Sequence, residues 1–124
     1  TAAALVSENK GLCFPSTVDS IPTSANQEDH VSMGTIAARR TQEVLDNLEY
    51  ILAIELICAC QALEFRKPKL PGSGALAAYR FLRRSIPKLK ADRILHLDIE
   101  LARQIIANEE LVAAVEKTIG VLKC

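Results

Sequence analysis

The chain has 124 residues, 49% of them hydrophobic, which is the size of one domain with a moderate core. Fifteen Lys/Arg against fifteen Asp/Glu leave no net charge, which argues against a nucleic-acid surface or an anionic membrane as partner. No run reaches the roughly 18 uncharged apolar residues of a membrane span, and no charged-then-apolar leader precedes a cleavage site, so the expectation is a soluble, cytoplasmic protein.

The first ten residues, "TAAALVSENK", are good helix formers that run up to Gly11, where a C-terminal cap is expected. They begin without a cap and without Met, as if a helix were entered partway, which predicts a fragment or cleavage product. Residues 11–27 hold Gly, two prolines, Ser, Thr and Asn and read as a long irregular loop. Loops of that length usually carry a function.

The dominant element follows, a helix expected over residues 28–67. Val44, Leu48, Ile51 and Cys58 recur on one face, Leu45, Leu52, Leu56 and Leu63 on the next, and around Tyr50 to Leu63 nearly every side is apolar. A helix apolar all round belongs inside something. It would be roughly 55 to 60 Å long, whereas a compact globule of this length has a diameter of roughly 36 Å. Its packing partners are therefore expected from another chain, or from a missing part of the same one.

"KPKLPGSG" ends that helix, and residues 68–74 read as a linker. Shorter helices are expected over residues 75–124: one to Ser85, closed by Pro87, one capped by Asp98 over Ile99 to Asn108, and one capped by Asn108 over Glu109 to Ile119. No strand pattern, internal repeat or low-complexity tract is present, so the class is all-α and the chain reads as a single helical region. Cys58 and Cys60 point about 200° apart on a helix, and Cys13 and Cys124 have no regular spacing. The expectation is four reduced, mostly buried thiols, and with only two histidines no metal site.

Gln27, Glu28, Asp29 and His30 form the densest polar cluster. They fit a helix start: Ser24 and Gln27 have capping-box spacing, and carboxylates are favoured in a first turn, together worth about 1 to 2 kcal/mol. Glu28 and His30 point apart on a helix and so do not form an acid–base pair. "GSG" at 72–74 lacks both a preceding strand and a following Lys, so it reads as linker and not as a phosphate loop. Arg80, Arg83, Arg84, Lys88 and Lys90 make an ordinary solvated face, and His96, between two leucines, reads as packed or surface.

"STVDSIPTSANQEDHVSMG", followed by "AARR", "LEYILAIELICACQALEFRK" and "DRILHLDIE" in that order, resembles the histidine ammonia-lyases of the aromatic amino acid lyase family over essentially the whole chain. The match is to the C-terminal part of the family's subunit. The resemblance implies an all-helical homotetramer with a central bundle of long helices, and active sites assembled from several subunits. It implies elimination of ammonia from L-histidine to give urocanate, through a 4-methylideneimidazole-5-one group formed from an Ala-Ser-Gly tripeptide. Glu28 matches the family's active-site glutamate at the imidazole end of the substrate, and Gln27 the neighbouring substrate-side position. Phenylalanine and tyrosine lyases carry amides at the position of Glu28, so the carboxylate favours histidine.

No Ala-Ser-Gly occurs in the chain, and neither Tyr50 nor Tyr79 lies in the context of the family's catalytic tyrosine. The electrophile is expected from the missing N-terminal part, the partners are the remainder of the subunit and its tetramer mates, and the chain alone is expected to be inactive. The alternatives are a helical oligomerisation module without chemistry, or a segment of a related lyase or aminomutase.

Overall fold

The computed structural model describes residues 1–27 and 33–122. It contains five α-helices: α1 (Ala2–Leu12), α2 (Gly34–Phe65), α3 (Ser73–Ser85), α4 (His96–Ala107) and α5 (Glu110–Ile119). Two short 3-10 turns, Ser16–Val18 and Ser24–Asn26, lie between α1 and α2, and no strand is present among the described residues. The architecture is all-α. The chain divides into two compact units, Thr1–Leu48 and Glu49–Cys124.

In the first unit α1 runs past Gly11, because Cys13 N–H still bonds to Asn9 O at 2.9 Å and Phe14 N–H to Gly11 O at 3.2 Å. Asn9 ties α1 to α2, donating from Nδ2 to Val44 O at 3.3 Å and accepting from Asn47 Nδ2 at 2.9 Å. Asn47 also donates to Glu8 Oε2 at 3.2 Å.

Neither Gly nor Pro interrupts residues 35–67, and Ala, Leu, Glu, Gln and Arg dominate, so α2 continues for 32 residues, about 48 Å. Its described start is Gly34, with Met33 O accepting Ile36 N–H at 3.1 Å and Ala37 N–H at 3.2 Å, whereas residues 28–32, assigned above to the helix, lie outside the described residues.

In the second unit α3 begins two residues before its expected start, with Gly72 at the N-cap and its carbonyl taking Leu76 N–H at 2.9 Å. Asp98 does not cap α4. It lies within the first turn and takes Arg93 Nη2 at 2.6 Å and Nε at 3.0 Å. Asn108 ends α4 instead of starting α5, and Glu109, at φ 58°, turns the chain between them. The core of this unit is Ala53, Cys60, Leu82, Ile86, Ala102 and Ile105, from α2, α3, α4 and the residue after α3.

The rest of α2 is less covered than its composition implies: Leu45, Leu48 and Leu52 are each 40% exposed or more. Cys60 is buried, while Cys13 and Cys58 are exposed; all three are free thiols, and Cys124 lies outside the described residues. No described helix is long and apolar enough to cross a membrane.

Candidate functional site

Residues 13–27 lead to the polar cluster through two tight turns. The first is held from α2. Arg40 Nη1 donates to Phe14 O at 3.0 Å and to Ser16 Oγ at 2.7 Å. Ser16 is buried, so its hydroxyl needs a partner, and a charged donor on a rigid helix supplies a strong one. Asp19 N–H closes the turn on Ser16 O at 3.2 Å. Arg40 also lines two cavities of about 350 and about 330 Å³, the first with Leu12, Ala37 and Val44, the second with Val18, Asp19 and Met33. Around them Phe14, Val18 and Ile21 are 72%, 75% and 55% exposed, an apolar surface without cover among the described residues.

The second turn has an unusual backbone. Ser24 and Ala25 both have left-handed conformations, at φ 53° and 58°, which cost non-glycine residues about 1 to 2 kcal/mol each. Strain of this kind persists where the surroundings enforce it, and it clusters at functional sites. The capping box expected from Ser24 is not formed, because Gln27 N–H bonds to the backbone carbonyl of Ser24 at 3.1 Å within this separate turn. Gln27 is exposed, with a right-handed backbone. Glu28, Asp29 and His30 lie outside the described residues.

Elsewhere the polar groups serve packing. In the second unit Glu64 accepts from Lys67 Nζ at 2.7 Å and from the Tyr79 hydroxyl, with Arg83 Nε 3.6 Å away. The bonds from Lys67 and then Tyr79 hold its carboxyl down at about 2. Arg83 also donates to Gln61 Oε1 at 3.2 Å, and Gln61 pairs with both backbone groups of Leu89, so α3 and the strand of chain after it are fastened to α2. Cys60, beside them, has its thiol pushed up by burial.

Arg103 of α4 bonds to Glu49 Oε2 at 3.0 Å and lies 4.9 Å from the Tyr50 ring centre. Tyr50 in turn donates to Glu100 Oε1 at 2.6 Å, which is the main reason the Glu100 carboxyl is lowered. No group of three or more His, Cys, Asp or Glu suited to a metal ion is found among the described residues.

The aromatic amino acid lyase family model matches residues 1–84. The chain belongs to the aromatic amino acid lyase family. Its lyase relatives include the histidine ammonia-lyase of Natranaerobius thermophilus, 58% identical over 123 residues, which are 99% of this chain and 24% of that protein. Among solved lyase-fold structures, histidine ammonia-lyase from Trypanosoma cruzi superposes with a TM-score of 0.90 at 38% identity, covering 98% of this chain and 24% of that one. Tyrosine aminomutase from Streptomyces globisporus superposes at 0.88 and 35% identity, covering 94% and 22%. The chain thus spans about a quarter of the length of the relatives it matches, 24% in the first case.

Ala-Ser-Gly is absent, and the one similar tripeptide, "GSG" at 72–74, is the start of α3. A Cβ added at Gly74 would lie 3.1 Å from Ile119 Cδ1, so Gly74 is packed against α5, whereas one added at Gly72 would meet nothing within 4 Å. The tie from Arg40 to Ser16 escapes a reading by spacing, because its partners are 24 positions apart and neither belongs to a chemical motif.

Proposed function

We propose that this chain is the C-terminal part of a histidine ammonia-lyase, a cytoplasmic, homotetrameric enzyme of histidine degradation that eliminates ammonia from L-histidine to give urocanate. The observation that carries this reading is the uninterrupted "NQEDH" run within a chain 58% identical to a histidine ammonia-lyase. In this reading the Glu28 carboxylate accepts the N–H of the substrate imidazole, fixing its orientation and stabilising positive charge on the ring. Gln27 lines the substrate side next to it. The electrophile, the 4-methylideneimidazole-5-one group, comes from the remainder of the enzyme, and this chain alone turns over no histidine. The exposed leucines of α2 and the uncovered Phe14, Val18 and Ile21 support a segment whose surface is completed by the rest of its subunit and by tetramer mates.

The similarity to tyrosine aminomutase supports a second reading, a segment of a related enzyme acting on another aromatic amino acid. The higher identity to histidine ammonia-lyase and the carboxylate at Glu28 favour histidine. The test is Glu28→Gln in the full-length polypeptide that contains this chain, followed by urocanate absorbance. The expected result is a fall in rate of about a hundredfold or more with assembly unchanged. An unchanged rate removes Glu28 from the site. Absence of urocanate from the parent enzyme, with release of ammonia from tyrosine or phenylalanine, selects the second reading.

A further inference from the structure

We infer, on the strength of the function proposed above, that Arg40 is a positioning residue for the lyase site, acting through Ser16 and Phe14 on the segment that carries Gln27 and Glu28. Residues 13–27 have little regular structure of their own, only turns closed by local bonds such as Asp19 N–H to Ser16 O and Gln27 N–H to Ser24 O. A segment of this kind wanders unless something fixed holds it, and loss of placement at a site is expensive: a displacement of about 1 Å can cost about a hundredfold in rate.

Arg40 provides the fixed point. It stands on the second turn of α2, and its Nη1 group uses both hydrogens, one on the buried hydroxyl of Ser16 and one on the Phe14 carbonyl. The two anchors, Ser16 and Arg40, are 24 positions apart, and Gln27 and Glu28 fall between them in sequence. The tie therefore closes a loop whose sequence includes the site residues, and it restricts the described turn at Ser16 from which that sequence leads on. Two cavities of about 350 and about 330 Å³ have Arg40 as a shared wall, so truncating it leaves the turn without a filler as well as without its donor. A lysine keeps the charge and can donate twice from one nitrogen, but its stem is shorter, so its ammonium falls short of the point that Nη1 holds between the two acceptors.

The test uses the full-length enzyme containing this chain, with Arg40→Ala, Arg40→Lys and Ser16→Ala each made alone and in the Glu28→Gln background. Arg40→Ala is expected to lower kcat about tenfold or more with a change in KM below about threefold, Arg40→Lys and Ser16→Ala falling between it and the parent. In the Glu28→Gln background Arg40→Ala is expected to cost less than about threefold further, since a displaced Glu28 is already missing its carboxylate.

Equal losses in both backgrounds, or parental kcat in Arg40→Ala, overturn the inference, because a residue that only holds the fold together acts independently of Glu28. If Arg40→Ala does not assemble, Arg40→Lys and Ser16→Ala carry the same comparison. Glu28→Gln with parental activity overturns the proposed function instead. An impaired Glu28→Gln with additive Arg40 effects overturns only the role of Arg40.

Discussion

Leu82 gives the sharpest test of the packing. It is fully buried, from α3, among Ala53, Cys60, Ile86, Ala102 and Ile105. Leu82→Ala removes three carbon groups, about 2.4 kcal/mol at about 0.8 each, and leaves a void that its neighbours close only in part. The sum is about 3 to 4 kcal/mol, inside the range of about 2.7 to 5 measured for such truncations in well-packed cores. Leu52, on α2 in the same unit, is 40% exposed, so Leu52→Ala gives up only about 1.4 kcal/mol and opens no closed cavity. The two variants should differ by about 2 kcal/mol, or about 6 to 10 °C in Tm for a chain of this size. Circular dichroism melts and urea titrations of the 124-residue chain measure the difference. Shifts equal within about 0.5 kcal/mol, or a larger shift at Leu52, would refute the placement of the core.

Glu64 yields a pH prediction. Its carboxyl lies below its ordinary 4.5, at about 2, so the stability it contributes is present above that ordinary value and drains away as pH falls towards 2. Glu64→Gln should flatten the unfolding curve in that acid window, read by urea midpoints at successive pH values, and an unchanged slope would mean that Lys67 and Tyr79 do not hold the carboxylate. At Gly74 an added Cβ would meet only the end of the flexible Ile119 side chain, at 3.1 Å. Gly74→Ala should therefore be neutral within about 1 kcal/mol, its tighter fit offset by better helix propensity, whereas Gly74→Val should cost about 1 to 3 kcal/mol by thermal melts.

The helical class and the existence of α2 were legible because periodicity over dozens of residues outweighs any local ambiguity. Helix ends were less so. Gly11 reads as a stop, yet the Cys13 and Phe14 N–H groups continue the ladder, and a glycine that remains right-handed ends nothing. Asn108 reads as a start, yet its N–H belongs to the helix before it, bonded to Gln104 O, and the break falls at Glu109. At the site, residue chemistry alone led no further than a well-made helix start, and it was the wording of "NQEDH" that carried the family. The Arg40 tie was invisible to both, since a bond between a loop serine and a helix arginine 24 positions away depends on tertiary placement that no local pattern encodes.

The left-handed pair at Ser24 and Ala25 has a consequence for how the turn behaves over time. An unfolded chain with side chains at both positions seldom visits that conformation, so the turn is slow to find by chance. Once the surroundings have forced it, few neighbouring shapes are open to it. Glycine at either position would make the turn easy to enter and equally easy to leave. The side chains there narrow the directions in which residues 26 and 27 can leave the turn.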